Sequence, residues 1–128
     1  MTEADIIKGN KLIAEFIGFK RLNPDNSFRL HQWWDINTGK KQHIFKGCDH
    51  SLEFHTSWDW LMPVIQKIEK TGEFSVTIFK GCCDIHYSSS LDKYDFEPIE
   101  KGGGQPKILS TYQAIIEFIN WYNKNYKP

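Results

Sequence analysis

Residues 74–87 read FSVTIF, Lys80-Gly81, CCDIHY: two β-prone runs on either side of a two-residue loop. That spacing predicts a β-hairpin. Side chains alternate along a strand. Phe74, Val76 and Ile78 therefore share one face, and Cys83, Ile85 and Tyr87 share a face of the return strand. Such an apolar face has to be covered, and the rest of the chain supplies the cover.

The first cover is a helix after Thr2. Thr2 and Asp5 have capping-box spacing, with Asp in place of the usual Glu. Ile6, Ile7, Ile13, Phe16 and Ile17 recur near a helical period, and Gly18 is a natural stop. A second helix lies within SWDWLMPVIQKIEKTG, with Leu61, Val64, Ile65 and Ile68 as its stripe and Thr56 or Ser57 as candidate cap. Pro63 removes a donor and crowds the preceding turn. The expectation is a loose turn over 57–61 and a regular helix from near Pro63. Asp59 then favours the helix dipole rather than chemistry. In the third helix, Ser110 and Gln113 form a capping box, and Tyr112, Ile115, Ile116, Ile119 and Tyr122 form the stripe.

Between the first two helices, Asn23-Pro24-Asp25-Asn26 marks a turn, and residues 28–36 read as a strand. Phe28, Leu30, Gln32 and Trp34 share one face, the better core face; Arg29, His31 and Trp33 share the other. Asn37-Thr38-Gly39-Lys40 turns the chain, and residues 41–45 return as the partner strand. Residues 46–56 and 88–108 read as irregular. The order α-ββ-α-ββ-α predicts an α+β fold, a small antiparallel sheet of two hairpins with three helices packed on it, in a single domain over residues 1–128.

Composition narrows the classes. Apolar residues make up 40% and aromatics 15%, which argues against disorder. Sixteen basic residues balance sixteen acidic ones, so the global basic excess that a non-specific nucleic-acid binder needs is missing. Three cysteines, two of them adjacent, make a poor disulfide framework. With no apolar run of membrane-spanning length and no signal-peptide pattern near Met1, the expected compartment is the reducing cytoplasm, with all thiols free.

Three stretches carry a resemblance: IAEFIGF over residues 13–19, FHTSWDWLMPVIQKIE over 54–69 and AIIEFINWYN over 114–123. Together they are similar to small proteins of bacterial viruses and prophages grouped as a phage α-β-α sandwich domain. The resemblance covers most of the chain and weakens over residues 20–50 and 88–108. It implies a viral or prophage origin, action in the host cytoplasm and an accessory role. It brings no catalytic motif with it.

The chemistry-bearing residues fall into three groups. Cys48, His50 and His55, with Cys82, Cys83 and His86, have donor types that suit zinc. Their spacing matches no usual zinc pair, and Cys83 and His86 lie on opposite faces of a strand, so neither a metal site nor a local Cys–His nucleophile is expected. Lys101-Gly-Gly-Gly-Gln-Pro-Lys107 precedes the third helix, where free amides and flanking lysines suit an anion; Gly103 and Lys107 are its candidate ligand residues. The third group is aromatic and basic: Phe28, Trp33, Trp34, Trp58 and Trp60 around Arg29, His31, Lys40 and Lys41. Trp faces stack on bases, and Arg meets phosphate. Arg29, His31 and Trp33, extended by Lys41 and His43 across the hairpin, form the expected ligand-binding face. The alternative is that helices cover both faces and Trp33 is core.

These features point to a non-catalytic viral accessory protein without a cofactor. It would sequester a small anionic, nucleotide-like signal of antiviral defence, or block a host protein; homo-oligomers are compatible with the sequence. The alternatives are a small metal- or Cys-dependent hydrolase acting on nucleotides and a virion or assembly protein.

Overall fold

In a computed structural model, the protein has an α+β fold, with three helices and two antiparallel three-stranded sheets among the described residues. The structure describes residues 1–21, 32–36, 44–49, 51–72, 74–87, 96–102 and 104–125. The chain divides into two compact units, Met1–Glu53 and Phe54–Pro128.

The first unit opens with α1 (Glu3–Ile17). Its capping box forms as the sequence predicts: the Asp5 amide donates to Thr2 Oγ1, and the Thr2 amide donates to Asp5 Oδ2, both at 3.1 Å. Gly18 ends the helix at φ 94°, a left-handed value that glycine adopts without strain. Strands β1 (Phe19–Arg21), β2 (Gln32–Asp35) and β3 (Ile44–Cys48) follow, in spatial order β1-β2-β3. The β2–β3 pair is the expected hairpin, but its return strand runs on to Cys48, into the stretch expected to be irregular. Strand β1 is an element that periodicity does not reveal, because three residues carry too little pattern. The core holds Ile13, Ala14, Phe16, Phe19, Trp33 and Leu52.

The second unit packs α2 (Trp58–Thr71) and α3 (Lys107–Asn125) on one face of a sheet ordered β4-β5-β6. Strands β4 (Phe74–Phe79) and β5 (Cys82–Tyr87) form the predicted hairpin, in the register Phe74–Tyr87, Val76–Ile85 and Ile78–Cys83. Lys80 and Gly81 have φ of 44° and 78°, the doubly positive turn that matches strand twist. Strand β6 (Ile99–Lys101) comes out of the segment read as a long loop and pairs Ile99 with Ile85. Among the described residues the strands form two three-stranded sheets, one in each unit, where the sequence suggested one sheet of two hairpins.

Two helix starts differ from expectation. α2 begins at Trp58 and runs through Pro63, with the Trp60 and Leu61 amides donating to the Ser57 carbonyl. One missing donor is tolerated because Leu61, Val64, Ile65 and Ile68 bury almost completely along a single stripe. Ser57 is the N-cap residue but makes no side-chain cap bond. α3 starts at Lys107, not Ser110; the Leu109 and Ser110 amides donate to the Pro106 carbonyl. Ser110 lies inside the first turn, is fully buried, and its hydroxyl donates to the Gly81 carbonyl. Ile116 is only half-buried, whereas Phe118 is completely buried among Phe74, Phe96 and Trp121.

Candidate functional site

The sheet of the first unit has two unlike faces because Trp33 and Trp34 are adjacent on β2. The register shifts between them: Trp33 pairs with Gly47 and Trp34 with Phe45, leaving Lys46 as the extra residue of a bulge.

On the inner face Trp33 is 1% exposed, and its indole Nε1 donates to Asp49 Oδ1 at 2.7 Å. The other Asp49 oxygen lies 3.4 Å from Nζ of Lys11, on α1. A tight turn holds Asp49 in place. The Cys48 amide donates to Ser51 Oγ at 2.7 Å, and the Ser51 amide donates to the Cys48 carbonyl at 2.9 Å. Gly47 has φ 126°, and a Cβ there would sit 2.6 Å from Ser51 Oγ, so the turn requires glycine. Asn10 of α1 donates to the Leu52 carbonyl at 3.0 Å. This inner network is structural: it pairs the buried Trp33 indole with Asp49 and ties α1 to the sheet.

On the outer face Lys20 pairs with Trp34 across β1–β2, and Phe45 pairs with Trp34 across β2–β3. The Trp34 and Phe45 rings are tilted at 57° with centroids 5.1 Å apart. Phe45 and Ile44 are each 48% exposed, and Lys20 is exposed. The Trp34 indole N–H is shielded from water and finds no acceptor. Such a donor costs about 1–3 kcal/mol relative to a satisfied one. The face therefore offers aromatic surface and a cation together, with the indole N–H beneath the surface.

Of the residues expected to bind a ligand, Trp33 is corrected. It is core, and Trp34 occupies the more open side, the reverse of the alternation argument. The Asp49 bond holds Trp33 on the inner face, and a strand pattern does not encode that bond. Arg29, His31, Lys41, His43 and Gly103 lie outside the described residues. Lys107 is exposed at the start of α3. Lys101, from the other side of the glycine segment, pairs with Glu117 at 2.7 Å instead of turning toward an anion. Gln105 Nε2 donates to Ser110 Oγ at 3.1 Å and to Gln113 Oε1 at 2.7 Å. Together with the Ser110–Gly81 bond, this makes the segment a latch between α3 and the β4–β5 turn. Lys11, Lys20, Phe45 and Asp49 are the residues that sequence reasoning missed as members of these two faces. Pairing Trp34 with Lys20 needs β1, and β1 has no readable signal.

The three cysteines are free thiols. Cys83 is fully buried, and burial pushes its thiol up to about 11, although a side-chain hydrogen bond with Thr111 pulls the other way. A thiol held protonated at neutral pH is a poor nucleophile. Among the described residues no group of His, Cys, Asp and Glu is arranged to hold a metal ion. Trp58 and Trp60 belong to the second unit, where Trp60 meets Phe54 edge to face at 5.1 Å. No helix among the described residues is long and apolar enough to cross a membrane. Comparison with protein-family models, with curated proteins and with solved structures returns no match for this chain.

Proposed function

We propose that this protein acts by binding rather than by turnover, taking a small anionic, nucleotide-like ligand on the outer face formed by Lys20, Trp34 and Phe45. The observation that carries this reading is the outer face itself: the Phe45 ring, packed on Trp34, is half open to water on the same face as the exposed Lys20. A flat base would cover the exposed ring. Lys20 brings the positive charge that a phosphate needs. The buried, protonated Cys83 is itself a poor nucleophile. In the viral setting that the sequence resemblance implies, capture of this kind would withdraw a nucleotide signal from host defence.

The test has two arms. Protein taken from infected cells and examined by native mass spectrometry should carry added mass equal to a small phosphorylated molecule. Titration of the purified protein with a nucleotide panel should then show binding that Lys20→Ala and Trp34→Ala weaken. Lys20→Ala should leave the melting temperature unchanged, because the side chain is exposed. Binding that ignores both changes, or no retained and no titratable nucleotide, rejects the reading; added mass equal to a host protein would mean that the face takes a protein partner instead.

A further inference from the structure

Strand β4 is a sheet edge of an unusual kind in this molecule. Among the described residues it pairs only with β5, and no backbone hydrogen bond leaves its free side. Exposed edges are templates for further strands, and proteins blunt them with short length, charge, proline or bulges. The other three edges are blunted in these ways. β1 has three residues and includes Lys20 and Arg21. β3 carries a bulge and Lys46. β6 has three residues and includes Glu100 and Lys101. β4 is a regular run of six residues, FSVTIF, with no charge, no proline and no bulge.

The edge is also self-complementary. In a hairpin with a two-residue loop, the residues flanking the loop exchange both backbone bonds, and bonding alternates from there. Phe79 pairs in this way with Cys82, so Phe74, Val76 and Ile78 aim their N–H and C=O groups off the edge. A second strand must keep the apolar face on its own side, so residues of like parity must pair. An antiparallel copy centred on Val76 meets that condition. Val76 faces its own counterpart, Phe74 faces Ile78, and Ser75 faces Thr77. Ser–Thr pairs across strands are favourable, and the absence of charge removes any like-charge penalty.

We propose that two copies of this chain join antiparallel through β4, making one continuous sheet of β6-β5-β4-β4-β5-β6 order. Sedimentation velocity over a range of protein concentrations should show a dimer. Within it, the Val76 and Ile78 amides should exchange with deuterium slowly, although both point off the edge of a single copy. Val76→Pro removes one edge donor that β5 does not use, and Thr77→Lys brings like charges together near the two-fold axis. Each should give a monomer, the second with the melting temperature kept because Thr77 is exposed. A chain that sediments as a monomer throughout overturns the proposal. A dimer that survives Thr77→Lys with fast exchange at Val76 also overturns it, because a different surface then holds the copies together.

Discussion

At the residue scale, the fate of two adjacent tryptophans sets the character of the first unit. Trp33 and Trp34 have the same chemistry and opposite surroundings. Trp33 gains the buried carboxylate of Asp49 at 2.7 Å, and the Lys11 ammonium offsets the charge that this places inside. Trp34 gains a phenyl ring and no acceptor. Trp33→Phe keeps most of the apolar surface but deletes the donor, taking the indole hydrogen bond away from the buried Asp49 carboxylate. The expected cost is about 1–3 kcal/mol, read as a lower denaturation midpoint. Trp34→Phe removes a donor that had no partner, so its expected cost is smaller. Equal losses for the two would mean that the Asp49 bond is not what distinguishes them.

At the scale of elements, α2 shows how packing overrides local preference. Pro63 sits in the second turn of a helix that runs from Trp58 to Thr71, and its ring is exposed. Proline inside a helix costs about 3 kcal/mol against alanine, part of which returns as reduced freedom of the unfolded chain. Pro63→Ala restores a donor at no cost in packing and should stabilise the protein by about 2 kcal/mol, raising the melting temperature. A fall would mean that the proline ring makes a contact the native state needs. The helix tolerates proline because its buried stripe lies on either side of position 63 and not at it. α3 shows the same balance from its other end: the capping-box pattern at Ser110 and Gln113 was legible, but Gln105 takes both side chains and the helix begins a turn earlier.

At the scale of the whole molecule, stability should depend on alkaline pH through groups buried in the second unit. The Cys83 thiol ionises near 9.0 when unperturbed and is held up to about 11 in the fold. Burial also raises Tyr112 well above its ordinary value. Between those limits the folded chain holds more protons than the unfolded one, so stability falls as pH rises. The contribution is complete below pH 9.0 and is lost progressively as pH climbs through the Cys83 range. Denaturation midpoints measured from pH 7 to 11 should decline above about 9, and Cys83→Ala should flatten part of the decline. A midpoint insensitive to pH in that range would place Cys83 in contact with water.

Periodicity and turn chemistry by themselves determined α1 with its cap and stop, the β4–β5 hairpin with its register, and the buried stripes of α2 and α3. Each of these rests on contacts within about one to four residues, or across a two-residue turn, and a linear pattern records such contacts directly. The tertiary structure decided the rest. Strands β1 and β6 are three residues long and exist because β2 and β5 offer them edges. The Asp49 carboxylate that holds Trp33 inward lies sixteen positions along the chain from it. The bulge at Lys46 changes the faces of β3 by one residue, which no count of alternating residues on one strand records. Which of the two tryptophans is buried in the first unit therefore goes with long-range hydrogen bonding, while the helices that cover the sheet of the second unit are properties of local pattern.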